Sequence, residues 1–175
     1  QCMNRTDGII TKQDLKNYKA VERKPISFNY RGYTFHSMPL PSSGGITLAN
    51  ILNQLENVDF SSIGFHSSTH VHYLVEAEKR AYADRAKYLG DSDYIYVPTH
   101  KLISKEYANQ RFNSISLLHS TKSESLNIDY SIFNESEETT HFSVVDNYGN
   151  AVSLTTTING TFGNGITVDN AGFIL

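Results

Sequence analysis

Residues 138–159 read Glu138-Thr139-Thr140-His141-Phe142-Ser143-Val144-Val145, then Asp146-Asn147-Tyr148-Gly149-Asn150, then Ala151-Val152-Ser153-Leu154-Thr155-Thr156-Thr157-Ile158-Asn159. Thr, Val, Phe and Ile are strand formers. A polar, Gly-bearing break between two such runs is hairpin chemistry. The stretch therefore predicts strands over 140–145 and 151–158. Side-chain alternation puts Thr155, Thr157 and Asn159 on one face, and a hairpin can bring that face beside Thr139. A Thr hydroxyl is a poor nucleophile without an adjacent base. One chemical solution makes the Thr a chain N-terminus, so that its own α-amine is the base. A free α-amine has a pKa near ~8, which leaves a useful fraction unprotonated at neutral pH. That solution requires cutting the Glu138–Thr139 bond. Thr is also common at strand starts for packing alone, so the spacing leaves both readings open.

Upstream of the hairpin, Asn113 to Glu138 is rich in Ser, Asn and Glu and has little periodicity. It is expected to be a mobile, exposed linker. Before it, Ser104 caps a helix predicted to run to Phe112. The longest helical segment is predicted from about His70 to Leu89, with Leu74, Ala77, Ala81 and Tyr88 on one face and Gly90 at the position of a C′ glycine. Ile46, Ala49, Leu52 and Leu55 repeat at helical spacing after the breaker-rich loop Pro39 to Gly45. Ile26 to Tyr30 and Tyr33 to Met38 alternate around Arg31-Gly32, a second hairpin. Thr11 precedes a short helix to about Tyr18, with Asp14 at its third position.

Composition narrows the class. The chain has 175 residues and 39% hydrophobic content, enough for a globular core. Lys plus Arg total 15 against 18 for Asp plus Glu, which removes the basic footprint of a nucleic-acid binder. No apolar run approaches the ~20 residues of a membrane-spanning helix. The one cysteine, Cys2, rules out an internal disulfide framework and a Cys-x-x-Cys metal site. The chain opens Gln1-Cys2-Met3-Asn4, without an initiator Met or a leader-like apolar run. It closes Asn170-Ala171-Gly172-Phe173-Ile174-Leu175, which reads as strand. The expectation is an internal segment of a longer protein.

Other constellations have plain readings. His66 and His70 are spaced i, i+4, with His72 nearby, but no carboxylate or Cys completes a ligand set, so no metal site is assigned. Glu76, Arg80, Asp84 and Lys87 alternate in charge along the long helix and are expected to form a solvated face. Asp84 is the exception, because it also falls near the apolar register and is expected to be buried and paired. Ser42-Ser43-Gly44-Gly45 before a helix lacks the ending of a P-loop. Asn4, Asn134 and Asn159 sit in glycosylation patterns that chance also supplies.

Thr139 to Asp146, Gly149 to Ser153 and Thr155 to Asn159 closely resemble the start of the small subunit of γ-glutamyltranspeptidases. Gly8 to Tyr18, Met38 to Gly45 and Glu76 to Asp91 resemble blocks of that family's large subunit, in the same order. The Thr-Thr-His block with its downstream Thr-x-Thr-x-Asn is the specific part. The resemblance implies an α+β fold, part of the αββα sandwich of N-terminal-nucleophile hydrolases. It implies a proenzyme that cuts itself between Glu138 and Thr139. Residues 1–138 would be the C-terminal part of the large subunit, with 113–138 as mobile linker. Residues 139–175 would begin the small catalytic subunit. Thr139 aligns with the nucleophile. Thr157 aligns with the threonine that assists it, and Asn159 with a residue that binds the amino end of the γ-glutamyl group.

The implied activity is cleavage of γ-glutamyl amides such as glutathione, with transfer of the acyl group to water, amino acids or peptides. No metal or organic cofactor is implied. The implied partners are those small molecules and the remainder of the protein's own large and small subunits, in a periplasmic or secreted location. The arginine for the substrate carboxylate would lie upstream of Gln1. The remaining amino-group ligands, a Ser pair and the Gly-Gly oxyanion hole would lie beyond Leu175, so the segment by itself is expected to be inactive. Relatives acting on polyglutamate or acylated β-lactams share these motifs. A non-catalytic, unprocessed segment on the same fold is the alternative from another class.

Overall fold

The computed structural model describes residues 2–126, 139–157 and 160–174. The chain divides into two compact units, Glu22–Ile132 and the pair of stretches Gln1–Val21 and Phe133–Leu175.

The larger unit starts with a hairpin, β1 (Ile26–Tyr30) and β2 (Tyr33–Ser37), paired antiparallel from Ile26 opposite Ser37 to Tyr30 opposite Tyr33. Its turn is the predicted Arg31-Gly32, both with positive φ. Helix α3 (Gly44–Leu55) follows. Gly45 has a packing reason: a Cβ there would run into the Met38 carbonyl oxygen and the Ile26 side chain. Helix α4 (Ser68–Tyr88) begins two residues before the sequence expectation, because the Ser67 hydroxyl accepts from the His70 backbone N–H. A short turn of helix, α5 (Thr99–Leu102), leads to α6 (Lys105–Phe112), whose N-cap is Ser104 as read from the sequence. Leu40, Ile46, Val97 and Leu102 form one buried cluster; Leu55, Val58 and Ala77 form another.

Helix α4 corrects the reading of its charged stripe. Glu76 and Arg80 are each 1% exposed and Asp84 is 4% exposed; of the four residues only Lys87 lies at the surface. Arg80 Nη1 donates to Glu76 Oε2 at 2.6 Å, while its other nitrogens reach Arg111 O, Ser114 Oγ and Ser114 O. Thr121 donates to Glu76 from its backbone N–H at 2.8 Å and from its hydroxyl at 2.5 Å. Asp84 is paired as expected, accepting from Arg111, Tyr107 and Asn50. Each buried charge thus has several hydrogen-bond partners, the condition under which burial of ions is tolerated.

Some of these bonds come from the stretch after α6. It is poor in apolar anchors, as read, but Ser114 and Thr121 hold polar ones on α4. Ser116 O accepts from His72 Nε2 at 2.7 Å, and Ser123–Leu126 forms a 3-10 turn. Residues 127–138 lie outside the described residues. At the end of α4, Leu89 is extended and Gly90 does not take the left-handed conformation expected of a C′ glycine. Gly90 instead leaves room for Ile95, whose Cδ1 lies 2.7 Å from where a Cβ would sit.

In the smaller unit, α1 (Cys2–Arg5) and α2 (Lys12–Asn17) are short. Thr11 and Asp14 form a reciprocal capping box on α2. Arg5 pairs with Asp169. The same unit holds the hairpin β3 (Thr140–Val145) and β4 (Ala151–Thr156).

Candidate active site

The β3–β4 hairpin is built from its turn. Asp146 accepts hydrogen bonds from the Tyr148 and Asn150 backbone N–H groups, each 2.9 Å, and from Asn150 Nδ2 at 2.7 Å. These bonds, the Asn150 side chain first, hold the Asp146 carboxyl below its usual range. Gly149 takes φ +83°, which glycine adopts without a steric penalty. The turn sets the register: Val145 opposes Ala151, and the ladder runs without a bulge to Thr140 opposite Thr156.

That register sorts the side chains. Phe142, Val144, Val152 and Leu154 share one face. His141, Ser143, Ser153 and Thr155 share the other. Carried one residue past the last pair, Thr140 with Thr156, the alternation would bring Thr139 opposite Thr157, on the side of the polar face. Both residues are exposed, Thr139 just before β3 and Thr157 just after β4. The strand β4 ends at Thr156; Ile158, the predicted strand end, lies outside the described residues. Glu138 and Asn159 lie outside the described residues.

The polar face also holds a residue the sequence reading left without a role. His141 Nδ1 lies 2.7 Å from Thr155 Oγ1, and its Nε2 lies 3.1 Å from Ser153 Oγ. Alternation alone would have placed His141 on the face of Thr139, because they are two residues apart.

His70 and His72 make contacts within the fold. His70 Nδ1 accepts from the His66 backbone N–H at 3.0 Å, just before α4. Among the described residues, no group of three His, Cys, Asp or Glu is placed to hold a metal ion. The Ser43 hydroxyl accepts from Arg85 at 3.1 Å.

The whole chain, residues 1–175, matches the family model described as gamma-glutamyltranspeptidase. The chain belongs to the γ-glutamyltranspeptidase family. It is 49% identical over 175 residues to the glutathione hydrolase proenzyme of Escherichia coli strain K12, covering 100% of this chain and 30% of that protein. It is 41% identical to the acylase ACY 1 proenzyme of Pseudomonas sp. strain V22, covering 95% of this chain and 29% of that protein. The crystal structure of Helicobacter pylori γ-glutamyltranspeptidase superposes with a TM-score of 0.69 at 43% identity, over 78% of this chain and 39% of that one. The chain thus spans about a third of the length of the curated relatives it matches. The helices and hairpins described above are part of an N-terminal-nucleophile hydrolase fold, the αββα architecture expected from the sequence.

Proposed function

We propose that this chain is the junction of a self-cleaving γ-glutamyltransferase and glutathione hydrolase, with Thr139 as nucleophile. The observation that supports the reading is the register of β3 and β4, whose last pair is Thr140 opposite Thr156; extended by one residue it would bring Thr139 opposite Thr157. The family membership of all 175 residues supports it.

In self-cleavage, Thr139 Oγ attacks the carbonyl carbon of Glu138. A C–O bond forms and the C–N bond breaks, which leaves an ester and a free Thr139 amine. Water then hydrolyses the ester, freeing the Glu138 carboxyl and the Thr139 hydroxyl. In turnover, the Thr139 amine takes the hydroxyl proton as the oxygen attacks a γ-glutamyl amide. The leaving amine departs with a proton, and the acyl ester passes to water or to an amino acid or peptide. Thr157 orients the nucleophile, and Asn159 binds the amino end of the donor. Acyl transfer draws much of its rate from donors aimed at the oxyanion. Those donors belong to other parts of the whole protein, so the 175 residues alone are inactive in this reading.

The test uses the full-length protein. Its mass and N-terminal sequencing should reveal two chains, one beginning at Thr139, and the processed protein should release the amine from a γ-glutamyl anilide. A single unbroken chain without turnover would favour a binding or structural role. The acylase relative favours a second reading of the donor, an acyl amide other than glutathione; glutathione and acylated β-lactams compared side by side decide between them. A periplasmic or secreted location belongs to the same proposal and is checked by cell fractionation.

A further inference from the structure

One imidazole on the hairpin gathers three hydroxyls, and neither self-cleavage nor acyl transfer as written above uses it. His141 Nδ1 faces Thr155 Oγ1 at 2.7 Å; Nε2 faces Ser153 Oγ at 3.1 Å and Ser143 Oγ at 3.4 Å. Both ring nitrogens are therefore engaged by hydroxyls of the hairpin itself. Hydroxyls donate or accept by rotating, so the arrangement suits either tautomer of the ring. A single hydrogen bond on an open strand face contributes little against water. Hydroxyls on both ring nitrogens do something more specific, which is to fix the ring's orientation and, through it, the side chain across the ladder.

The position of that contact matters. Thr140 opposite Thr156 is the last ladder pair, and its side chains lie on the apolar face. On the polar face, His141 with Thr155 is the last cross-strand pair before Thr139 and Thr157. We propose that His141 is a positioning residue for Thr139: through Thr155 it holds the end of β4, so that Thr157 stays opposite the nucleophile in self-cleavage and in acyl transfer. The proposal rests on the role given to Thr139 above. Misplacement of a reacting group by about 1 Å costs roughly a hundredfold in rate, so a brace at this point has leverage without touching the substrate.

The test again uses the full-length protein, with His141→Ala, His141→Asn, Thr155→Val and the double variant His141→Ala/Thr155→Val. The measurements are the rate at which the Thr139 terminus appears, kcat and KM for a γ-glutamyl anilide, and the melting temperature. His141→Ala is expected to slow both processing and kcat by about tenfold to a hundredfold, with KM changed by less than about twofold. His141→Asn keeps a polar atom where Nδ1 lies and should recover most of the rate. Thr155→Val should lose as much as His141→Ala, and the double variant no more than either, because one contact cannot be lost twice. If His141→Ala does not fold, His141→Asn and Thr155→Val carry the decision. Unchanged rates in His141→Ala or Thr155→Val, losses that multiply in the double variant, or a loss confined to KM would overturn the brace while leaving Thr139 in its role. A wild-type chain that never yields a Thr139 terminus would sink the proposed function and the brace with it.

Discussion

Helix α4 and the β3–β4 hairpin depart from the usual distribution of residues in opposite directions. The helix carries Glu76, Arg80 and Asp84 inside, at 1%, 1% and 4% exposure. The hairpin carries Phe142, Val144, Val152 and Leu154 outside, each 41% to 56% exposed. In the helical unit the buried charges find their partners within residues 50–121. Two strands alone are marginally stable, and the hairpin's apolar face stands open. The comparison separates two jobs. The charged groups inside the helical unit are buried and hydrogen-bonded. Groups proposed for chemistry stand at the open end of an uncovered ladder.

The largest expected effect belongs to the hairpin. In the full-length protein, Thr139→Ala should abolish both self-cleavage and turnover, leaving one unbroken chain on a denaturing gel. Thr157→Ala should slow both by roughly a hundredfold to ten-thousandfold, the range of general acid–base assistance, while Thr157→Ser retains much of each. Neither change should lower the melting temperature appreciably, because both side chains are exposed. Two fragments recovered from Thr139→Ala would end the distinction between the regions.

Next in size is the buried pair. Arg80→Met removes the cation and leaves Glu76 with a charge that, among the described residues, Thr121 and Lys79 still address. Breaking a buried ion pair from one side typically costs about 3–5 kcal/mol. The double variant Glu76→Gln/Arg80→Met should recover part of that loss, since no uncompensated charge remains. Denaturant titration checks both. The kcat of whatever fraction is folded should stay near the wild-type value. A loss of kcat with unchanged stability would place α4 in the chemistry and blur the comparison.

How much of this was legible in the sequence follows the range of the interactions involved. Thr11 with Asp14, Ser104 as an N-cap and the turn Arg31-Gly32 were read correctly because each is settled within a few residues. The β3–β4 register was legible for the same reason: the Asp146 to Asn150 turn fixes it. The buried stripe was not. Glu76 and Arg80 at i, i+4 look identical whether they face water or protein, and what settles the matter is Ser114 and Thr121, some 34 to 45 residues away. The polar residues Asn50, Asn53 and Gln54 went unread for a similar reason; all three are buried on α3. Thr139 and Thr157 were singled out by resemblance, and the alternation that pairs them was visible in the residues alone.

Acid should expose the same contrast with a smaller effect. Burial by itself would raise the Glu76 carboxyl, but the hydrogen bonds from Thr121 and Arg80 outweigh it and bring the group from an ordinary 4.5 down to about 2. A carboxyl lowered in the folded state binds fewer protons there than in the unfolded chain. Its stabilisation is therefore complete above pH 4.5 and is lost as the pH falls toward about 2. Melting temperature should fall through that window in the wild type and fall less steeply in Glu76→Gln. The carboxyls of Asp14 and Asp146 are also lowered, by hydrogen bonds from Thr11 and Asn150, but both are exposed and screened, so Asp146→Asn should leave the slope nearly unchanged.

The smallest effects come from one glycine in each region, and they separate two reasons for having glycine. Gly149 in the hairpin turn takes φ +83° with nothing near a prospective Cβ, so its requirement is conformational. Gly149→Ala should cost about 1–2 kcal/mol through the left-handed backbone alone. Gly90 after α4 has no left-handed backbone, and its requirement is space for Ile95. The atom in the way is the far end of a side chain that is 49% exposed and can swing aside. Against that small strain, Ala restricts the unfolded chain and returns about 0.4–1 kcal/mol. The two terms nearly cancel, so Gly90→Ala should shift stability by less than about 0.5 kcal/mol in either direction. Equilibrium unfolding of both variants decides the point. If Gly90→Ala costs as much as Gly149→Ala, then α4 ends in the left-handed cap that its sequence pattern suggests, and the extended Leu89 described above is wrong.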